Sequence, residues 1–156
     1  MGSAGWPLAN APVAAVRRKL QYMEIFEYSN YLKQNGILGF EDAVKLLHKI
    51  KKEIGNDETA MEIYTEICEK AVRYSGFRSK WLLMSKGEKA EADPSRTACH
   101  DSLIICINKL ARYLRMNGKT AAWRDELGDE TANQYIRKRI GDFGCYIALI
   151  NGLNAR

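Results

Sequence analysis

Apolar residues in this chain recur at every third or fourth position over five long segments, and no segment alternates apolar and polar residues as a β-strand does. Leu103, Ile107, Leu110 and Leu114 illustrate the spacing in the fourth segment. Such spacing places side chains on one face of an α-helix, because the helix turns once in about 3.6 residues. We therefore predict an all-α protein, a single-domain helical bundle of about five main helices with mostly antiparallel neighbours.

Capping and turn residues give the expected limits of these helices. Asp57 is placed to cap the third helix, and the Ser-Gly pair at residues 75–76 predicts a break or bend in it. The polar residues 85–93 predict a linker, and Asp93 followed by Pro94 predicts the start of the fourth helix. The predicted helices span about residues 12–35, 39–54, 57–75, 94–116 and 130–150, with a short turn of helix at residues 122–127.

Composition places the chain among globular proteins. It has 156 residues, 46% apolar and 28% charged, which is enough for one domain with a core. Residues 1–11 are small and uncharged and predict a flexible leader, so residues 12–156 form the predicted domain. No apolar run suits a membrane span, the N-terminal residues lack the order of a signal peptide, and the four cysteines form no CxxC pair. We expect a cytoplasmic protein with reduced thiols and no membrane partner.

Polar and ionisable residues interrupt the apolar pattern in the C-terminal third. Arg96 and His100 are four residues apart and share one helix face, with His100 at the edge of the apolar stripe. A half-buried imidazole beside a guanidinium is suited to binding an anion or to acid–base chemistry, although a structural histidine bonded to a carbonyl or carboxylate fits the same pattern. We predict a polar cleft lined by Arg96, His100, Arg124, Arg137 and Arg139, supported by Asp101, Asp125 and Asp142.

The last helix carries three consecutive cations, residues 137–139, shortly before Asp142. Lys138 and Arg139 are spaced for a local ion pair with Asp142. Three neighbouring cations fan around much of a helix, so we expect one of them to lie beside the packed side and to bind Asp101, Asp125 or Glu126. Small residues then follow at helical spacing on one face and predict that the last two long helices pack closely on each other: Gly141, Gly144, Ala148 and Gly152.

Three functions fit these patterns. The first is a non-enzymatic binding or regulatory module, without metal or cofactor, whose cleft takes an anionic group or an acidic partner. The net charge of +5 permits such a partner, and the arginines interleaved with aromatic residues leave open whether it is a protein or a nucleic acid. The second is a metal-dependent phosphohydrolase of the HD type that uses His100 and Asp101, with His48 and Asp142 as further ligands, but this ligand set is short for a dinuclear site. The third is a structural homo-oligomer, in which the polar cluster is internal and the aromatic N-terminal half associates. That half is rich in tyrosine and phenylalanine: Tyr22, Phe26, Tyr28, Tyr31, Tyr64 and Tyr74.

The C-terminal part of the chain also resembles a family of small bacterial and phage-borne proteins of unknown function. The resemblance rests on Arg96-Thr97-x-x-His100-Asp101, on Trp123-Arg124, and on the stretch from Arg137 to Arg156, and it covers about residues 90–156. It implies a compact helical protein and brings no activity or ligand with it.

Overall fold

The computed structural model describes residues 32–154, with side chains to Asn151. Its described part is helical and contains no strand, so the predicted all-α class is confirmed. The predicted leader and most of the predicted first helix, with Tyr22, Phe26, Tyr28 and Tyr31, lie outside the described residues. Residues 32–35 are helical and precede five helices: α1 (Phe40–Ile54), α2 (Glu58–Trp81), α3 (Lys86–Met116), α4 (Ala122–Leu127) and α5 (Gln134–Asn154).

Several helix ends follow the signals in the sequence. Asp57 caps α2 as predicted, since its side chain accepts a hydrogen bond of 3.1 Å from the backbone N–H of Ala60. Gly55 ends α1 in a conformation with φ of 55°, which glycine adopts at little cost. The helix α5 begins four residues later than expected, because Asn133 Oδ1 accepts a hydrogen bond of 2.9 Å from the N–H of Ile136.

Two predicted boundaries are wrong. The helix α2 runs without a break through Ser75 and Gly76, both of which are buried. A helical glycine costs about 1 kcal/mol relative to alanine, and burial of this helix face against α5 offsets that cost. Residues 85–93 are not a linker, because Ser85 and Glu88 form a capping box that starts α3 at Lys86. Pro94 is therefore exposed inside α3, and residues 82–85 make the connection.

The core surrounds α5. Every residue from Ile140 to Leu149 is buried, and a helix covered on all sides belongs to the interior of a bundle. Its main neighbour is α2, not α3 as we expected, and α3 meets it over a short stretch. The predicted close approach of α3 to α5 is confirmed at two of the small residues: a Cβ on Gly144 would overlap Leu103, and one on Gly141 would lie 3.0 Å from His100 Nε2. The Cβ on Gly141 would also lie 2.7 Å from Tyr74 Oη on α2.

Candidate functional site

A cavity of about 860 Å³ lies where α2, α3 and the start of α5 meet the segment that precedes α1. We call it the basic cavity. Of the described residues, those with charged or histidine side chains that line it are Arg78, Asp93, Arg96, His100, Asp101, Arg137 and Lys138. The structure thus brings together three of the five predicted site residues, namely Arg96, His100 and Arg137. Two others, Arg124 and Arg139, do not line it, and nor do Asp125 and Asp142.

A buried ion pair lies beside this cavity. Asp142 is fully buried, and its Oδ1 is 3.3 Å from Arg78 Nη2. Its Oδ2 accepts hydrogen bonds from the backbone N–H groups of Ile37 at 2.8 Å and Leu38 at 3.3 Å. The predicted local pair with Lys138 or Arg139 is therefore wrong: Asp142 belongs to the buried stretch of α5, whereas Lys138 is exposed. Asp142 instead ties α5 to α2 and to the segment before α1.

Arg78 is the residue that the sequence patterns missed. Its Nη1 donates a hydrogen bond of 2.8 Å to Tyr74 Oη, and its side chain is almost fully buried. The signal was present, because Arg78 follows Ile67, Ala71 and Tyr74 at spacings of four, three and four residues on the buried face of α2. The break predicted at residues 75–76 removed it from that stripe.

His100 is held in one protonation state by its two hydrogen bonds. Its Nε2 is 3.0 Å from the backbone carbonyl of Arg137, and its Nδ1 is 3.0 Å from Arg137 Nη2. The carbonyl only accepts and the guanidinium only donates, so Nε2 carries the proton and Nδ1 offers its lone pair. Burial, followed by the charge of Arg137, lowers the pKa of His100 from 6.5 to about 4. His100 is therefore neutral at neutral pH and does not add to the positive charge of the cavity.

Arg137 is anchored by that histidine and by one carboxylate. Its Nη2 donates to Asp101 Oδ1 at 2.6 Å, which confirms Asp101 as a partner among the three that we expected. The Arg137 side chain is 28% exposed and Asp101 49%, so the pair lies at the wall of the cavity and not beneath it. Within residues 32–151, no acceptor lies within hydrogen-bonding distance of the Nε and Nη1 donors of Arg137.

Arg96 and Lys138 complete the cationic wall. Arg96 binds Asp93 on its own helix, with Nη2 2.8 Å from Oδ1, and its guanidinium lies 4.7 Å from the ring centre of Trp81. Stacking on an aromatic face holds a guanidinium in place and leaves its outer edge available. Lys138 is exposed, and no carboxylate of the described residues pairs with it.

Arg124 and Arg139 bind α4 and the loop that follows it. Arg124 is buried and donates to Asn108 Oδ1 and to the Gly128 carbonyl, each at 2.7 Å, and it forms an ion pair with Glu130. Those bonds fasten the chain after α4 to the middle of α3. Arg139 donates to the Glu126 carbonyl at 3.3 Å. Asp125 pairs with Arg115 at 3.2 Å. The predicted single cluster is thus two sets of residues, and only the first lines the basic cavity.

The described residues contain no group of three or more His, Cys, Asp or Glu side chains arranged to hold a metal ion. The ligand set of the HD-type hypothesis is not assembled: His48 is exposed on α1, and both oxygens of Asp142 are already bound. In this part of the chain no helix combines the length and apolar character needed to cross a membrane.

Comparison of the chain with protein-family models, with curated proteins and with solved structures gave no match. The resemblance of residues 90–156 to a bacterial and phage-borne family therefore stays a prediction, and the site is interpreted from its chemistry alone.

Proposed function

We propose that this chain is a non-enzymatic binding module whose basic cavity receives an anionic group of a partner. The observation that carries the proposal is the charge of the cavity wall. Among the described residues, four cationic side chains line it against two carboxylates, and Asp142 behind the wall neutralises one of the four, Arg78. Because His100 is neutral, the excess positive charge is concentrated at Lys138 and the start of α5.

Preorganisation supports the same proposal. Arg137 is fixed by Asp101 and His100, and Arg96 is fixed by Asp93 and the Trp81 ring. Guanidinium groups that are already held in place lose little side-chain entropy when an anion binds. Each retains N–H donors, Nε and Nη1 of Arg137 and Nη1 of Arg96, for charge-assisted hydrogen bonds to a carboxylate or phosphate.

The internal bonds of the polar groups also favour the structural alternative. Arg78 binds both Asp142 and Tyr74, and a network of this kind stabilises a fold without any ligand. The two alternatives differ in what they require of the cavity wall. A purely structural role depends on the buried pair of Arg78 and Asp142, and the exposed Lys138 contributes nothing to it.

A charge-matched pair of variants tests the binding module. Arg96→Ala combined with Lys138→Ala removes two cations from the cavity wall. Arg73→Ala combined with Lys45→Ala removes two exposed cations that do not line it. Binding of a polyglutamate peptide and of a single-stranded oligonucleotide is measured by calorimetry at about 50 and 200 mM salt.

We expect the first variant to lose at least about tenfold in affinity for the anion that binds, since contacts to a charged group contribute about 1.5–3 kcal/mol. The control variant should bind like the wild type. Equal losses in both variants would mean that the anion responds only to net charge, and the proposal would then fail.

A further inference from the structure

We propose that the anionic group is a phosphate monoester with an attached aromatic or apolar part, held between the start of α5 and the Trp81 wall. This inference rests on the proposed function and names the ligand class of the same cavity. Three features carry it: the charge around the start of α5, the number of donors near it, and the apolar surface beside them.

The first feature is the charge. The first turn of α5 contains no acidic residue, and Arg137 and Lys138 follow in its next turn. A helix N-terminus carries a partial positive charge of about +0.5, so cations here are unfavourable unless an anion accompanies them. Within residues 32–151, Arg96, Arg137 and Arg78 are each matched by a carboxylate, so Lys138 and the helix end together present about +1.5. A phosphate monoester carries about −1.5 to −2 at neutral pH, whereas a carboxylate carries −1.

The second feature is the number of donors. Arg137 offers Nε and Nη1, Lys138 offers three N–H groups, and Thr97 adds a hydroxyl group to the same lining. Gln134, the first residue of α5, also lines the cavity and brings the N–H groups of its side-chain amide. Three phosphate oxygens accept more hydrogen bonds than the two oxygens of a carboxylate, so a phosphate uses this set more completely.

The third feature is the remaining space. The cavity of about 860 Å³ has the size of a small-molecule site and far exceeds one phosphate group. Leu32, Trp81 and Leu82 supply apolar surface to its wall. A ligand that places its phosphate at Lys138 therefore has room for an aromatic or apolar part against Trp81.

Three small probes of similar shape separate charge from geometry. Phenyl phosphate is a dianion above pH 6, phenyl sulfate is a monoanion with the same tetrahedral head, and phenylacetate is a planar monoanion. Their dissociation constants are measured by calorimetry on the full chain at about pH 8 and pH 5.5, which bracket the second pKa of a phosphate monoester near 6. Phenyl sulfate, whose charge does not change, reports any effect of pH on the cavity wall itself, which His100, Asp93 and Asp101 line.

We expect phenyl phosphate to bind at least tenfold more tightly than either monoanion at pH 8, and to lose most of that advantage at pH 5.5. Inorganic phosphate should bind at least tenfold more weakly than phenyl phosphate, because it leaves the apolar wall empty. Lys138→Ala should weaken phenyl phosphate binding about tenfold, whereas Lys45→Ala, an exposed lysine on α1, should not change it.

The outcomes distinguish this inference from the proposed function. Equal affinity for phenylacetate and phenyl phosphate, both weakened by Lys138→Ala, would keep the anion-binding cavity and overturn the phosphate assignment. Binding of polyglutamate without binding of any phenyl probe would do the same. No binding by any anion would overturn both. If phenyl phosphate binds, the dissociation constants of adenosine monophosphate and of a phosphotyrosine peptide are compared. The tighter of the two shows whether the phosphate belongs to a small molecule or to a protein.

Discussion

The protonation of His100 gives the sharpest physical prediction about this structure. Its pKa falls from 6.5 to about 4 because burial removes water from the imidazolium and the Arg137 guanidinium faces Nδ1. Between these two pH values the unfolded chain takes up a proton on His100 and the folded chain does not. The free energy of unfolding therefore decreases as the pH falls from 6.5 to 4, and His100 has no effect of this kind above pH 6.5.

The magnitude follows from the two pKa values. The full loss is about 3 kcal/mol once the pH is below 4, and about 2 kcal/mol of it is already lost at pH 5. His100→Gln removes the titrating group and keeps an amide that donates and accepts hydrogen bonds. We expect the decrease in unfolding free energy between about pH 7.5 and pH 5 to be about 2 kcal/mol smaller in this variant than in the wild type.

Urea denaturation of both proteins at the two pH values measures that difference, and carboxylates that titrate in both proteins cancel from it. His48→Gln is the matched control, because the exposed His48 lies on α1 and its substitution leaves His100 intact. The control should show the wild-type pH dependence. An identical pH dependence in the wild type and in His100→Gln would refute the bonding pattern that we assign to the imidazole.

Three further tests by urea denaturation address the buried ion pair, the packing of α5 and the start of α3. Asp142→Asn should cost about 3–5 kcal/mol, because it removes the charge of a fully buried carboxylate that pairs with Arg78 and accepts from two backbone N–H groups; a loss below about 1 kcal/mol would contradict the ion pair. Gly141→Ala should cost about 1–3 kcal/mol, since its Cβ would lie 2.7 Å from a tyrosine hydroxyl, whereas Gly87→Ala, which meets open space in α3, should be neutral or stabilising. Ser85→Ala should lower the free energy of unfolding by about 1 kcal/mol, and Asp93→Ala should change it little. A larger loss from Asp93→Ala than from Ser85→Ala would mean that α3 begins at Asp93.

Local sequence rules predicted most of the helical architecture. The 3.6-residue period identified the helices, and Asp57 and Gly55 marked real ends. The rules failed at residues 75–76, where tertiary packing of α2 against α5 keeps the helix intact despite a poor local propensity. The start of α3 was a different error, because Ser85 and Glu88 have the spacing of a capping box and that signal was in the sequence.

The site was harder to predict because its decisive pairs join distant parts of the chain. Asp142 has cations three and four residues away on its own helix, yet it pairs with Arg78, 64 residues away. The local rule assumes an exposed helix face, and Asp142 lies in a stretch that is buried on all sides. The sequence placed Arg96, His100 and Arg137 on helices with the correct faces. It did not reveal that Arg124 and Arg139 bind α4 and the loop after it, away from the basic cavity, because the relative positions of helices depend on packing.

The charged residues at the basic cavity have two different roles, one structural and one in lining the cavity, and the sequence pattern did not distinguish them. The pair of Arg78 and Asp142 is buried and fixes α2, α5 and the segment before α1 relative to one another. Arg137 and Lys138 lie one turn before Asp142 on α5 and line the cavity. Because the buried pair fixes α5, it also fixes the positions of these two residues. His100 contacts both sets of residues. Its ring packs edge-on against Tyr74, with the ring centroids 4.8 Å apart, and its Nδ1 accepts a hydrogen bond from Arg137. Because the neutral imidazole is an acceptor at that atom, it orients the Arg137 guanidinium without competing for an anion. A protonated His100 would place two donors against each other, so the orientation of Arg137 depends on the same protonation state that the pH experiment measures.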